Sequence, residues 1–150
     1  MTMQNFQKIG FVGEHLISKL FGGKLSLDKY DPDKDLVLPD GKHAEVKTQV
    51  RNVIQNAFTV SLDTWTGNQI RKCVEVEKLF FVEYGTYGNI RVYDCSDRNY
   101  RTIKNQFGRM AAFDVDKMEL IADFKSKYCD KMMELSTVNR KWLQDQYLYE

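Results

Sequence analysis

Residues 31–49 combine an acidic cluster, a short apolar run, a turn and a second strand-like run, and this order constrains the fold more than any other stretch. The apolar run is Leu-Val-Leu at 36–38, and the turn sequence Pro-Asp-Gly-Lys follows at 39–42. Side chains in a strand alternate between two faces, so Glu45 and Lys47 project to one face while Ala44 and Val46 point to the other. The segment therefore predicts a β-hairpin with one apolar and one polar face.

The length of the turn decides which residues of the hairpin lie opposite each other. A two-residue turn at 40–41, the commonest hairpin link, sets Asp35 opposite Val46. An odd loop, for instance residues 39–41 with a bulge, sets Asp35 opposite Glu45. A slip of one residue moves every side chain to the other face. The odd loop is favoured because it collects the apolar side chains on one face: Leu36, Leu38, Ala44 and Val46. The opposite face then carries Asp33, Asp35, His43, Glu45, Lys47 and Gln49.

The polar face suits hydrolysis of a phosphodiester. Two carboxylates at hydrogen-bonding distance repel each other unless a cation lies between them. Mg²⁺ prefers such an oxygen environment, completed by waters and substrate phosphate oxygens. The metal acidifies a water and offsets charge at phosphorus. Lys47 can orient that water, or deprotonate it if the metal and burial lower the pKa of the lysine. Asp35 and Glu45 are thus the predicted metal ligands, and they form the predicted catalytic set with Lys47.

Asp35, nine intervening residues and then Glu45-Val46-Lys47 resemble the signature of the PD-(D/E)XK nuclease superfamily. In that signature an aspartate precedes a short hairpin and Glu/Asp-X-Lys. Asp33, which follows Pro32, is the alternative metal ligand, and Asp35 is preferred because it directly precedes the apolar strand. The resemblance implies an α/β (α+β) fold with a restriction-endonuclease-like αβββαβ core, in which helices flank a mixed central sheet. The expected cofactor is Mg²⁺, with Mn²⁺ as a substitute.

The N-terminal segment 4–21 has helical periodicity, with Gly13 on the apolar stripe and two glycines, 22 and 23, at its end. The stripe consists of Phe6, Ile9, Leu16, Ile17 and Leu20. Glu14 lies beside it. Many nucleases of the resembled superfamily place a glutamate on the first helix that reaches the metal directly or through water. The resemblance therefore implies Glu14 as a third metal ligand.

The following segments predict the rest of the core. Residues 24–30 read as a first strand, and Phe58, Val60 and Leu62 alternate as in another strand. A helix is predicted at 67–74 with a threonine cap, and a buried strand at 78–84 that forms a hairpin with 90–94. The order of helix, three strands, helix and strand over residues 4–94 matches the core of the nuclease superfamily.

Residues 98–109 contain four cations and no acid, with Tyr100 and Phe107 interleaved. We expect a loop or short helix whose cations, Arg98, Arg101, Lys104 and Arg109, neutralise successive phosphates while the aromatics stack on unpaired bases. The alternative is a solvated basic loop anchored by its aromatics. Gln49 and Arg51 continue the Lys47 face. They are predicted either to contact a phosphate or base edge or to face solvent.

The C-terminal segment 117–148 has apolar residues at helical spacing, which predicts one long helix or two helices broken near 136–137. The stripe consists of Ile121, Phe124, Tyr128, Met132, Leu135, Val138 and Trp142. Such a stripe either packs on its own domain or forms a homodimer interface, where methionine and aromatic residues are favoured.

Composition narrows the class of protein. A chain of 150 residues with 43% hydrophobic content is most simply one domain with its own core. Its net charge of +1 neither requires nor excludes nucleic acid, because an acidic metal site masks a basic groove in the total. Three widely spaced cysteines without a ligand pattern indicate reduced thiols and an intracellular, cytoplasmic location. No membrane-spanning run or signal peptide is expected.

The leading hypothesis is a Mg²⁺-dependent DNA endonuclease, and its small size suits a junction-resolving or other structure-specific enzyme. Restriction-type, nicking and RNA-cleaving enzymes are alternatives within that class. A different class is an inactive nuclease fold kept for nucleic-acid binding or assembly, although a complete set of Asp35, Glu45 and Lys47 argues against it. A non-nuclease domain is the third hypothesis.

Overall fold

The computed structural model describes residues 5–25, 36–63, 68–86, 89–106 and 108–126. Within these ranges the chain is a mixed α/β structure with two helices, α1 (Asn5–Phe21) and α2 (Asn68–Glu75). The strands are β1 (Lys24–Leu25), β2 (Leu36–Val37), β3 (His43–Gln49), β4 (Ala57–Ser61), β5 (Lys78–Thr86), β6 (Asn89–Asp94), β7 (Arg101–Asn105), β8 (Gly108–Asp114) and β9 (Glu119–Lys125). A 3₁₀ turn at Val115–Lys117 joins the last two strands. Neither described helix is long and apolar enough to cross a membrane.

The strands form a six-stranded mixed sheet and a smaller three-stranded sheet. The larger sheet has the order β1-β2-β3-β5-β6-β9, and the smaller has the order β4-β8-β7. β1, β2 and β3 form an antiparallel meander, whereas β5 lies parallel to β3. A parallel neighbour needs a crossover, and here the crossover contains β4 and α2. The predicted mixed central sheet is confirmed.

Two apolar clusters place the large sheet in the middle of three layers. One cluster joins α1 to one face of the sheet, through Ile9, Val12 and Ile17 against Val46, Val82 and Val92. The other joins the opposite face to α2 and the small sheet, through Cys73, Leu79, Phe81, Phe58 and Phe113. Helices were expected to flank the sheet, but one flank is largely a second sheet. β3 is consequently covered on both faces, including the face that carries Glu45 and Lys47.

The hairpin between β2 and β3 has the register of the odd loop. Leu36 pairs with Ala44, and the Leu38 amide donates to the Lys42 carbonyl at 2.9 Å. Gly41 has φ +88°, a conformation that glycine adopts without strain, and it closes a three-residue loop at 39–41. Leu36, Ala44 and Val46 are buried in the cluster under α1, with Leu38 packed against it. The apolar face was therefore predicted correctly. Asp33 and Asp35 lie outside the described residues.

Helix α1 follows its predicted stripe in the middle and departs from it at the end. Ile9 and Ile17 are buried as predicted, and so is Val12, which the predicted stripe omitted. Leu20, the last residue of the predicted stripe, is 45% exposed. The helix ends at Phe21, before Gly22 with φ +75°, as the two glycines predicted.

Two further predictions are corrected. The segment 98–109 is not a loop or short helix, because most of it forms the hairpin of β7 and β8. The helix predicted from residue 117 is wrong over Glu119–Lys125, which is strand β9. There the register slips between Val92 and Tyr93, so Ile121 is the extra residue of a bulge. The bulge interrupts the alternation of side chains between the two faces of the strand, so Ile121 and Phe124 pack against the same core. Two apolar residues three positions apart on one face give the spacing expected of a helix. Residues 127–148, with the rest of the stripe, lie outside the described ranges.

Candidate functional site

β3 positions the first two site residues at the centre of the large sheet. Glu45 is 5% exposed and Lys47 is half-buried. The Lys47 ammonium lies 2.9 Å from Glu45 Oε1. A carboxylate at this depth is stable only with a cation or hydrogen-bond donors beside it. Strand alternation places the two side chains on one face, as the sequence predicted.

Helix α2 adds two residues that the sequence analysis did not single out. Lys47 Nζ donates a hydrogen bond to Gln69 Oε1 across the space between β3 and α2. Lys72, one turn further along α2, is close enough for its charge to lower the pKa of the Glu14 carboxyl. The helix at 67–74 was predicted, but a short helical pattern does not tell which polar residues face a strand that is distant in sequence.

Helix α1 brings Glu14 within electrostatic range of Glu45 and Lys47. Burial raises the pKa of the Glu14 carboxyl from its usual 4.5 to about 7, and repulsion from Glu45 adds to the rise. The positive charges of Lys47 and Lys72 lower the pKa in part. The charges of Glu45 and Lys47 thus act on Glu14.

The close approach of α1 to β3 depends on Gly13, the residue before Glu14. A Cβ atom at Gly13 would lie 1.7 Å from Thr48 Oγ1, far inside any permitted contact. Only glycine lets the helix pack on the strand at this point. Thr48 follows Lys47, so the contact fixes the helix against the strand that carries the site.

The arrangement has the donor chemistry of a hard-cation site. Glu14 and Glu45 supply anionic oxygens that repel each other, and a divalent cation would relieve that repulsion. Among residues with described positions, no group of three or more His, Cys, Asp or Glu is placed to hold a metal. Leu36 pairs with Ala44 where β2 and β3 meet. In the sequence, Asp35 directly precedes Leu36 and Glu45 directly follows Ala44. The two glutamates have the oxygen chemistry that Mg²⁺ prefers, and a third acidic ligand for such an ion would have to come from outside the described ranges.

A thiol nucleophile does not fit this site. Burial raises the pKa of the Cys73 thiol to about 12, with Lys47 and Glu45 near enough for their charges to act on it. The thiol therefore stays protonated at neutral pH. Because the thiolate is the reactive form, Cys73 is a packing residue of the second cluster.

Three of the residues predicted to bind nucleic acid are engaged inside the protein. Gln49 bridges to β4, accepting from the Thr59 amide at 2.8 Å and donating to the Thr59 carbonyl at 3.0 Å. Arg51 forms a two-point ion pair with Glu83, at 2.7 and 3.0 Å. Arg98 donates to the backbone carbonyls of residues 73, 76 and 95, each within 2.8 Å. These contacts hold elements together, and none of the three side chains is presented as a free phosphate ligand.

The other three cations lie on the β7–β8 hairpin. Arg101 pairs with Asp114 at 2.7 Å, and Arg109 pairs with Asp63 at 2.8 Å. Hydrogen bonds from Arg109, and then its positive charge, hold the pKa of Asp63 below its usual value. Lys104 is exposed and also acts on the pKa of Asp63. The hairpin thus presents cations at the surface beside acidic residues, Asp63 and Asp114, that lie outside the segment 98–109 in the sequence.

Comparison with known proteins adds no assignment. The sequence matches no protein-family model and no curated protein. The case for function therefore comes from the site formed by Glu14, Glu45, Lys47, Gln69 and Lys72.

Proposed function

We propose that the protein is a metal-dependent nuclease that hydrolyses phosphodiester bonds of DNA with Mg²⁺, or with Mn²⁺ in its place. One observation carries the proposal. Two glutamates from α1 and β3 share one electrostatic environment with Lys47, and the pKa of Glu14 is raised to about 7 by burial and by Glu45. A buried and a partly buried carboxylate that repel each other beside a lysine are groups that metal-assisted phosphoryl chemistry uses.

Each residue has a distinct role in this proposal. Glu45 and Glu14 would hold the metal, with Asp35 as the further ligand expected from the sequence. When bound, Mg²⁺ supplies a water of lowered pKa and offsets negative charge on the phosphate. Lys47 orients the attacking water with its ammonium, which Glu45 and Gln69 hold in place.

The connectivity supports the nuclease interpretation. An antiparallel β1–β2–β3 meander follows α1, and a crossover containing α2 leads to β5, which is parallel to β3. This order agrees with the αβββαβ core expected from the sequence resemblance, except that β4 is inserted before α2 and belongs to the smaller sheet. We therefore include a restriction-endonuclease-like core in the proposal.

The test is a cleavage assay on several nucleic acids. Supercoiled plasmid, linear duplex, branched junction, single-stranded DNA and RNA are incubated with purified protein in Mg²⁺, Mn²⁺ or EDTA. We expect cleavage of DNA that requires the metal. Glu45→Gln should abolish it. Lys47→Ala should lower the single-turnover rate by about 10²- to 10⁴-fold with little effect on DNA affinity. Glu75→Gln, on the exposed part of α2, is the matched control and should cleave normally.

Two results would count against the proposal. Metal-dependent cleavage that survives in both Glu45→Gln and Lys47→Ala would place the active site elsewhere. DNA binding without cleavage of any substrate in either metal would favour the inactive, nucleic-acid-binding alternative.

A further inference from the structure

Arg98, in the stretch between β6 and β7, donates its hydrogen bonds to the backbone at the end of helix α2. Its Nε donates to the Cys95 carbonyl at 2.7 Å, and its Nη1 donates to the carbonyls of residues 73 and 76 at 2.8 Å each. Longer contacts of 3.4 Å reach the carbonyls of residues 74 and 77. The Cys95 amide donates to the Leu79 carbonyl at 2.9 Å. Arg98 therefore ties the end of α2 to the sheet.

The last carbonyls of a helix have no partners within the helix. In α2, the Lys72 carbonyl still accepts from the Val76 amide at 3.1 Å. The next two carbonyls, of residues 73 and 74, are among those that Arg98 binds. A positive charge at this end also favours the helix dipole. One guanidinium thus takes the place of the missing helical bonds and fixes where α2 ends.

Two other contacts show how α2 lies along β3. Gln69 Oε1 accepts from Lys47 Nζ, and Glu77 Oε1 accepts from the His43 amide at 3.1 Å. The path from Gln69 to Glu77 is mostly helical, and eight helical residues advance about 12 Å. The four residues from His43 to Lys47 span about 13 Å of strand. The two lengths match, so α2 runs along β3 in the opposite direction and is held at both ends.

We propose that Arg98 is a positioning residue for the reaction at Glu45 and Lys47, because it sets the place of α2 along β3 and so maintains the hydrogen bond between Gln69 and Lys47. This inference rests on the proposed nuclease function. A hydrogen bond weakens steeply when its atoms move apart or lose alignment. A misplacement of about 1 Å caused by a distant substitution can cost about 100-fold in rate. Lysine cannot replace Arg98, since its donors radiate from one point and do not form a planar fork.

The first experiment follows the side-chain amide signal of Gln69 in ¹H–¹⁵N spectra recorded in EDTA, without DNA. Gln69→Leu assigns the signal, and Lys47→Ala gives its position when the hydrogen bond is absent. We expect Arg98→Lys to move the signal most of the way to that position. Glu77→Ala loosens the same end of α2 at an exposed side chain and should move the signal in the same direction, even if Arg98→Lys does not fold. Glu75→Ala, also exposed on α2, is the matched control and should leave the signal unchanged.

The second experiment measures single-turnover cleavage of DNA in Mg²⁺. Arg98→Lys and Gln69→Leu should each lower the rate about tenfold. If Arg98 acts through Gln69, the double variant should be no slower than either single variant, whereas independent effects would multiply to about 100-fold. DNA affinity should not change, because Arg98→Lys keeps the positive charge. A loss of overall stability alone would not produce this pattern in folded protein.

The outcomes separate this inference from the proposed function. An unmoved Gln69 signal in both Arg98→Lys and Glu77→Ala would overturn the positioning role and leave the nuclease proposal untouched. A rate about 100-fold lower in the double variant would do the same, since Arg98 would then act independently of Gln69. If the unaltered protein cleaves no DNA, the nuclease proposal fails, and the role of Arg98 in the reaction fails with it.

Discussion

Glu14 links protonation to stability. Its carboxyl has a pKa raised by burial and by Glu45 to about 7, against an ordinary value of 4.5. Between these two values the folded protein binds more protons than the unfolded chain, so the free energy of unfolding falls as pH rises. The stabilisation from a neutral Glu14 is complete below pH 4.5 and is lost as pH rises through 7.

The first prediction is that Glu14→Gln removes this pH dependence. In EDTA, raising the pH from 4.5 to about 7 should lower the free energy of unfolding of the unaltered protein by about 3 kcal/mol. The variant should not show this loss. Urea unfolding at steps from pH 4.5 to 8 measures the difference, with Glu75→Gln as control. Mg²⁺ should restore stability at pH 8 in the unaltered protein more than in Glu14→Gln, because a ligand stabilises the state that binds it. If the free energy of unfolding changes with pH in the same way in both proteins, the pKa of Glu14 is not raised in the folded state.

Gln69 is a positioning residue, because it acts through Lys47. Gln69→Leu removes the acceptor for the ammonium, and a hydrogen bond to a charged group contributes roughly 1.5–3 kcal/mol. We predict a single-turnover cleavage rate about tenfold lower, with unchanged DNA affinity. Gln69→Glu keeps an acceptor and should retain most of the rate, which distinguishes positioning from a packing role. Equal rates for the leucine variant and the unaltered protein would remove Gln69 from the site.

The sequence revealed only part of this site. Glu45 and Lys47 were singled out because two-residue alternation is a local rule, and Glu14 because the superfamily that the sequence resembles places a glutamate on its first helix. Gln69 and Lys72 were not found, because the groups they act on are far away in the sequence, with Lys47 22 residues before Gln69. The internal pairing of Arg51 with Glu83, 32 residues away, was equally invisible.

At the scale of elements, the contact of α1 with β3 has a matched pair of glycines to test it. Gly13 has no room for a Cβ atom, whereas Gly10, one turn earlier on the same helix, has nothing within 4 Å of the added atom. Helix propensity alone favours alanine over glycine by roughly 0.8–1 kcal/mol at both positions. Packing therefore decides whether alanine at position 13 raises or lowers stability, and helix propensity decides it at position 10.

We predict that Gly10→Ala raises stability by up to about 1 kcal/mol and that Gly13→Ala lowers it by about 1–3 kcal/mol, as overpacking does. Chemical denaturation of both variants measures the two effects. Adding Thr48→Ala to Gly13→Ala removes Oγ1 and Cγ2 and should recover part of the loss, but not all, because Thr48 Cβ lies 2.9 Å from the added atom. If Gly13→Ala is as stable as Gly10→Ala, the helix is not fixed against β3 at this residue.

Elements in which apolar side chains recur at one regular spacing were predicted well. Elements in which that spacing is interrupted were not. The buried strand β5 and the hairpin of β2 and β3 followed from alternation and turn chemistry. β9 was read as helix because a bulge at Ile121 brings residues three apart to one face. The β7–β8 hairpin was read as a loop because its cations hid the strand pattern, and their acidic partners, Asp114 and Asp63, lie elsewhere in the sequence.

At the scale of the whole molecule, the Arg51–Glu83 pair ties the two sheets together. Glu83 on β5 is 1% exposed and receives Arg51 at both oxygens. Arg51 also donates to the Tyr93 hydroxyl at 2.6 Å on β6 and to Asn56 Oδ1 at 3.0 Å before β4. Burial, with the Glu83 charge second, raises the pKa of Tyr93, so the tyrosine remains a neutral member of the network.

The last prediction follows from the burial of Glu83. Arg51→Met leaves a buried carboxylate without its main partner, which should cost about 3–5 kcal/mol of unfolding free energy. Arg51→Met/Glu83→Leu removes both charges and should recover most of that loss, since an apolar pair of similar volume often equals a buried ion pair. Arg101→Met is the control, because its pair with Asp114 is exposed to solvent and screened, and stability should change little. Denaturant unfolding of the four proteins gives these differences.

DNA affinity measured on the folded double variant tells whether Arg51 only joins the sheets or also contacts a phosphate. Unchanged affinity assigns Arg51 to the joint between the sheets, whereas a flatter salt dependence of binding would show that it also contacts a phosphate.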